Sequence, residues 1–253
     1  MRAVDPKLEG RTALITGGAS GMGRAASLLF ASNGAHVVIA DRDGDAAGAT
    51  VADIVAEGGS AEAHTIDVGD QSHLGDWADG LPHETLDVVF HHAGLPGPVG
   101  WRFDAESWNE TMWVNVWAPM ELTKLLLPRV RRSSHASLIY TASTSGLRAV
   151  PGLLTYSASK GALIAFVRSL AVQLAPEGIR ANAICPGATD TPALRRDIAD
   201  GTVRGSLDDI AAHIPMRRVG STDDVAAVAL FLASDESAYL TGLAIPVDGG
   251  STA

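Results

Sequence analysis

The feature that most constrains this chain is a rhythm in which short apolar runs recur between helix-length segments. Thr12–Thr16, His36–Ala40, Glu62–Ile66, Leu86–Phe90, Ser137–Thr141, Arg180–Ile184 and Leu243–Val247 read as seven strands. The first four begin at positions 12, 36, 62 and 86, 24 to 26 residues apart. That interval holds a helix and two loops, whereas a hairpin needs only a few connecting residues. Runs such as Ala13-Leu14-Ile15 and Val37-Val38-Ile39 are continuously apolar instead of alternating. Strands read this way when helices cover both faces of a parallel sheet.

Helices are predicted over Gly21–Asn33, Gly44–Glu57, Gln71–Asp79, Ala105–Arg131, Thr155–Ala175 and Thr222–Ala233. Asn33-Gly34 and Gly58-Gly59 stop the first two, and Ser221-Thr222-Asp223-Asp224 opens the last. Pro119 and Pro128 should kink or end the fourth. The order implies an α/β fold: one Rossmann-type domain over residues 1–253, with a doubly wound, seven-stranded parallel sheet and helices on both faces. The stretch Gly187–Pro215 fits no strand and holds two short helical patterns. A long excursion late in such a domain is expected to be a substrate-binding loop, here about residues 188–215.

Composition narrows the class. Apolar residues make up 46% of the chain, enough for a sizeable core. Acidic residues outnumber basic ones 29 to 19, a formal charge of −10 that argues against a nucleic-acid or anionic-membrane partner. The longest strongly apolar run, Val225–Ala233, is nine residues, while a bilayer span needs about 20. The N-terminal residues Arg2, Asp5, Lys7, Glu9 and Arg11 leave no secretory apolar segment. Cys185 is the single cysteine, within an apolar run, and reads as a core residue of a cytoplasmic protein.

After the first strand comes Thr16-Gly17-Gly18-Ala19-Ser20-Gly21-Met22-Gly23, then a helix. A glycine-rich strand-to-helix turn lets the backbone approach a pyrophosphate seated on the helix N-terminus, although a plain tight turn has the same pattern. Asp41 closes the second strand, 24 residues after Gly17. An acidic side chain there accepts hydrogen bonds from ribose hydroxyls and repels a 2′-phosphate, which favours NAD; the adjacent Arg42 pulls toward a phosphate. Asp67-Val68 follows the third strand, where the carboxylate either contacts adenine or caps its own loop. Farther on, Tyr156 and Lys160 are four residues apart and share one helix face. A nearby ammonium stabilises a phenolate, which fits the tyrosine for proton transfer with an alcohol or carbonyl. Ser143, 13 residues upstream, can hydrogen-bond the substrate oxygen.

Together these motifs resemble the short-chain dehydrogenase/reductase family: Thr16-Gly17-x-x-x-Gly21-x-Gly23, Ala93-Gly94, Asn115, Ser143, Tyr156-x-x-x-Lys160, Pro186-Gly187 with Thr191, and Val247-Asp248-Gly249-Gly250. The resemblance covers essentially the whole chain. It implies that Tyr156 is the general acid/base, that Lys160 lowers its pKa and binds the nicotinamide ribose, that Ser143 orients the substrate oxygen, and that Asn115 holds a water linking Lys160 to solvent. It also implies that Gly17, Ser20, Gly21, Met22, Gly23, Asp41, Asp67, Val68, Ala93 and Gly94 bind the adenosine and pyrophosphate side, and that Pro186, Gly187, Thr189 and Thr191 bind the nicotinamide side. A homotetramer follows from the same resemblance, with surplus apolar residues such as Met120, Leu122, Phe166 and Leu170 available for an interface.

One departure stands out. The family usually shows Asn-Asn-Ala-Gly after the fourth strand; here it is His91-His92-Ala93-Gly94. Neighbouring strand residues face opposite ways, so the two histidines do not chelate one metal, and no metal site is expected. Leu95–Trp101, Leu147–Pro151 and Ala188–Ile214 should surround the substrate, with Leu95, Val150 and Leu194 beside it. That lining suits a small to medium, partly apolar alcohol or ketone. The reading is an NAD-dependent alcohol dehydrogenase. The alternatives are a 3-oxoacyl-carrier-protein reductase type using NADPH and, from another class, a nucleotide-sensing protein without chemistry.

Overall fold

A computed structural model describes residues 6–253. Seven strands form one parallel sheet: β1 Thr12–Thr16, β2 His36–Asp41, β3 Ser60–Thr65, β4 Val88–His91, β5 Ser137–Thr141, β6 Arg180–Pro186 and β7 Ala244–Val247. Their spatial order is β3-β2-β1-β4-β5-β6-β7. β1 pairs with β2 on one side and β4 on the other, Ile15 facing both Ile39 and Phe90. The chain reverses its winding between β1 and β4, and the loops leaving their C-terminal ends diverge there. An α/β sheet opens its ligand crevice at such a point.

The helices are α1 Gly21–Ser32, α2 Gly44–Ala56, α3 Leu74–Asp79, α4 Ala105–Met112, α5 Ala118–Val130, α6 Leu154–Leu174, α7 Pro192–Ala199, α8 Leu207–Ala212 and α9 Thr222–Ala233. Strand side chains alternate between two cores. Ala13, Ile15, Val37, Ile39, Val88 and Phe90 pack beneath α1, α2 and α9, while Leu14, Val38, Val89, Leu138 and Tyr140 pack beneath α5 and α6. Both faces are thus buried, which is why the strand sequences do not alternate. The α6 segment, run on to Glu177, has the length and a mean hydropathy of 1.2 that would suit a bilayer span. Its Leu163, Ile164, Val167 and Ala171 are instead core residues against the sheet.

Several boundaries differ from expectation. The third strand starts at Ser60, not Glu62, because pairing with β2 begins at His36 opposite Ser60. The fourth runs Val88–His91 instead of Leu86–Phe90, and takes in the first histidine. The third helix begins at Leu74, not Gln71, because the Asp70 carboxylate accepts from the Ser72 backbone N–H at 3.0 Å and holds a turn there. The long fourth helix is interrupted by a π turn, Trp113–Trp117, between α4 and α5. Pro119 has no N–H for the Asn115 carbonyl, so the α-helical ladder cannot pass that point unchanged. Pro128, in contrast, sits inside α5, which runs on to Val130. Ser221 and Asp224 form a reciprocal capping box at the start of α9, at its expected position.

Candidate active site

The C-terminal ends of β1, β2 and β4 open into a cleft of about 880 Å³. Gly17, Ser20, Gly21, Met22, Asp41, Asp67, Val68, Ala93, Gly94, Leu95, Tyr156, Lys160 and Thr191 all line it. The glycine turn is shaped for close approach. Gly17 has φ +69°, and a Cβ on it would lie 3.0 Å from the Ala93 backbone. At Gly23 a Cβ would overlap the Gly17 carbonyl, so this glycine serves helix-to-turn packing and lies behind the cleft wall. Ser20 is the N-cap of α1 but makes no side-chain cap bond, and the first turn holds no acidic residue. The α1 N-terminus therefore offers uncapped N–H groups and its positive dipole end to the cleft, a fit for a pyrophosphate.

At one end of the cleft Asp41 closes β2. Its Oδ2 accepts from the Ala19 N–H at 3.0 Å and its Oδ1 from the Asp43 N–H at 3.1 Å. Arg42 lines the same rim. Asp67 Oδ1 accepts from the Gly69 N–H at 2.8 Å, so it caps its own loop while facing the cleft. Trp113, in the π turn, donates from Nε1 to the Val68 carbonyl at 3.0 Å and pins that loop. No local motif marks Trp113 for this task; only the fold brings it to residue 68.

The other end is built on α6. Tyr156 and Lys160 share a face one turn apart, with the Lys160 ammonium 5.6 Å from the phenol ring centroid. Lys160 is buried and donates to the Thr141 carbonyl at 2.8 Å. Burial pushes its ammonium down to about 8. Burial also raises the Tyr156 phenol above its ordinary value, while the Ser143 hydroxyl beside it acts the other way. The phenol is thus protonated at rest rather than poised as a phenolate. Ser143 follows β5, and its Oγ accepts from the Ser145 N–H at 3.1 Å.

Asn115 projects from the π turn. Its Oδ1 accepts from the Leu95 N–H and its Nδ2 donates to the Leu95 carbonyl, each at 2.8 Å, so the side chain clamps the loop after β4 like a strand partner. Nδ2 also donates to Ser159 Oγ at 3.0 Å, and that hydroxyl donates to the Tyr156 carbonyl at 2.8 Å. Gly94 closes the cluster: a Cβ there would sit 3.1 Å from Asn115 Oδ1 and 3.3 Å from Lys160 Nζ.

The two histidines face opposite ways. His91 stacks on Tyr140 with centroids 4.8 Å apart, and its Nε2 pairs with Thr123 Oγ1 at 3.1 Å. His92 packs against Phe90 and pairs through Nδ1 with Thr141 Oγ1 at 2.9 Å. Burial pushes His91 down to about 3; burial and then the Lys160 charge push His92 down to about 4. Both are neutral struts at physiological pH. The Thr16 hydroxyl accepts from the His92 and Ala93 N–H groups at 3.0 and 3.2 Å, which ties β1 to this loop whatever the side chains.

Of the remaining expected residues, Pro186, Gly187, Thr189, Val150 and Leu194 lie outside the cleft lining. Pro186 ends β6 opposite Val247. Gly187 passes so close to Asp248 that a Cβ would meet its Cβ at 2.8 Å. Thr189 bridges to Gly220, which anchors the excursion after β6. Thr191 both lines the cleft and caps α7, its Oγ1 accepting from the Leu194 N–H at 3.2 Å. Val150 belongs to the loop that meets Val99 and Gly100, where the Gly100 N–H donates to the Gly152 carbonyl at 2.7 Å. Leu194 lies in the first turn of α7 and is not part of the cleft wall.

Comparison with known proteins agrees with this architecture. The family profile described as enoyl-(acyl carrier protein) reductase matches residues 17–252. A 2,5-dichloro-2,5-cyclohexadiene-1,4-diol dehydrogenase of Sphingobium indicum is 35% identical over 96% of this chain and 97% of its own. A 3-oxoacyl-[acyl-carrier-protein] reductase of Thermotoga maritima is 32% identical over 96% of this chain and 98% of its own. Among solved structures, a 7α-hydroxysteroid dehydrogenase complexed with NADH and 7-oxo glycochenodeoxycholic acid superposes with a TM-score of 0.90 at 29% identity, covering 97% of this chain and 96% of that one. The chain belongs to the short-chain dehydrogenase/reductase family. It is an oxidoreductase that moves hydride between a nicotinamide dinucleotide and a CH–OH/carbonyl pair.

Proposed function

We propose that this enzyme interconverts a small to medium, partly apolar secondary alcohol and its ketone, with NAD(H) as the redox partner. The observation that carries the reading is that Tyr156 and Lys160 line the same cleft as Asp41, with Ser143 beside the Tyr156 phenol just outside that lining. The nicotinamide ring supplies the hydride acceptor or donor when bound. The α1 N-terminus and the Gly17–Gly21 turn hold the pyrophosphate, and Asp41 holds the adenosine ribose. Ser143 donates to the substrate oxygen. In the reducing direction Tyr156, protonated at rest, gives its proton to that oxygen; in the oxidising direction it takes it back, and the Lys160 charge offsets the phenolate that burial disfavours. Asn115 acts by holding Leu95 and, through Ser159, the backbone of Tyr156.

Arg42 on the cleft rim gives a specific reason to keep the NADPH-linked 3-oxoacyl reductase as the second reading. A purely nucleotide-sensing role would leave the Tyr156 phenol, with Ser143 beside it and Lys160 one turn away, without a task. We place the enzyme in the cytoplasm and assign it a homotetramer. Leu122, expected at the interface, is a core residue; Trp117, Leu154 and Val172, 49%, 40% and 78% exposed, are the large apolar groups that α5 and α6 carry outward with the turn before them. The decisive experiment is Tyr156→Phe assayed by NADH absorbance against a panel of secondary alcohols. Loss of the general acid/base should lower turnover about 10²- to 10⁴-fold while NAD binding stays near wild type. Unchanged turnover would remove Tyr156 from the mechanism.

A further inference from the structure

The sheet edge formed by β3 is polar where its neighbours are apolar. His36 opens β2, Glu62 and His64 alternate along β3 on the same face, and His83 arrives from the segment between α3 and β4. These side chains converge on one point. The Nε2 atoms of His64 and His83 each lie 2.8 Å from Glu62 Oε1, and His36 Nε2 lies 3.7 Å from Glu62 Oε2. The donor atoms of His36, Glu62 and His83 all fall within 4.8 Å of one another. The side chains are 18–33% exposed, so an ion can reach them from solvent.

Two of the ligands are held from outside, His36 at its ring and His83 at its backbone. His36 Nδ1 pairs with Ser60 Oγ at 2.7 Å, which turns Nε2 toward Glu62. The His83 carbonyl accepts from Arg129 Nε at 2.9 Å, and the same guanidinium holds the carbonyls of Asp79 and Leu81. His64 meets Trp77 edge to face, with centroids 6.2 Å apart. Burial works against ionisation of Glu62, but hydrogen bonds from His64 and His83 hold its carboxyl below the ordinary range. Fixing the second ring nitrogen and the ring plane is how proteins prepare histidine ligands. Three imidazoles directed at one carboxylate also exceed what a simple ion pair uses.

We propose that His36, Glu62 and His83 bind a divalent cation of the zinc class, with His64 bracing Glu62. Two imidazole nitrogens and one carboxylate oxygen are a donor set for Zn²⁺, with solvent in the fourth position; Ca²⁺ and Mg²⁺ prefer oxygen ligands alone. Zinc–nitrogen bonds of about 2.0–2.1 Å require the donors to close in from their present spacing, which rotation of partly exposed side chains supplies. His36 stands five residues from Asp41 on the same strand, about 16 Å away at about 3.3 Å per residue. The ion therefore takes no part in hydride transfer. It ties β2, the edge strand β3 and the segment before β4 together.

The test is calorimetric titration of the full chain, stripped with EDTA and exchanged into chelator-free buffer, with ZnCl₂ alone. One Zn²⁺ per chain should bind with a micromolar or tighter Kd and raise Tm by several degrees. Glu62→Gln and His83→Ala should each weaken binding at least about tenfold and abolish the Tm rise, with turnover in EDTA unchanged. His73→Ala, at an exposed histidine elsewhere, should bind as wild type. Visible Co²⁺ absorption in the wild-type protein, lost in His83→Ala, reports imidazole ligation independently. Absence of saturable binding by the wild-type chain, or wild-type affinity in Glu62→Gln and His83→Ala, overturns the proposal.

Discussion

Removing the Asp41 charge should change which dinucleotide the enzyme uses. The carboxylate ends β2 at the cleft rim, and the backbone N–H groups of Ala19 and Asp43 hold it there at 3.0 and 3.1 Å. A 2′-phosphate on the adenosine ribose would enter the space this carboxylate faces. Two unit charges about 4 Å apart repel by about 4 kcal/mol at an effective dielectric near 20. Solvent at the partly open rim and the neighbouring Arg42 reduce this to about 3 kcal/mol, a preference for NAD on the order of 10²-fold. Asp41→Ala should lower kcat/KM with NAD by about tenfold and raise it with NADP, so that the preference collapses or inverts. The substitution also removes two hydrogen bonds to backbone, which costs about 1–3 kcal/mol of stability. Thermal melts must therefore accompany the kinetics, run with both cofactors on one alcohol substrate. A wild-type enzyme that uses both equally or prefers NADP, or a folded Asp41→Ala protein with unaltered preference, would refute the assignment and favour the NADPH-linked alternative.

Two further outcomes follow from the site and the surface. His91, buried and pushed down to about 3, stays neutral while an unfolded histidine protonates near 6.5. The unfolded chain then holds the extra proton between those values, so stability falls with pH from about 6.5 toward 3, by up to about 1.4 kcal/mol per pH unit for this group. His91→Asn should flatten the decline in denaturant melts from pH 7 to 4; an unchanged slope would show that other groups govern it. Light scattering at micromolar concentration should give four times the chain mass, and Trp117→Glu should shift it downward; a wild-type monomer would contradict the tetramer.

Where the chemistry of a position is local, the sequence announces it. The glycine turn, the closing Asp41, the Tyr156/Lys160 pair on one helix face and the Ser221/Asp224 cap all depend on neighbours within a few residues, and the structure holds them at their expected places. Contacts across long separations were not legible. The Trp113 hold on residue 68, the Asn115 clamp on Leu95, and the grouping of His36, Glu62 and His83 arise only when separate elements pack. The start of α3 shifted because one Asp70 hydrogen bond outweighed helical periodicity. The division of α4 from α5 was signalled by Pro119, but its form was not: a proline predicts a missing bond and leaves open whether the chain bends, stops or widens.

The widened turn has a consequence for how this enzyme can change. A π turn accommodates one residue more than an α-helical turn, and each helical residue rotates the next by about 100°. Trp113–Trp117 therefore takes up one extra residue locally, and α4 and α5 keep nearly the phase of one continuous helix. Upstream lies α4; downstream, Leu122, Leu126 and Val130 must all meet the sheet. Deleting Val116 would restore a regular α turn and leave those three residues facing the sheet, but Asn115 would lose the widened turn that aims it at Leu95 and Ser159. The extra residue thus shapes the cleft wall at Asn115 while the core face of α5 stays where it is, and the two can change separately.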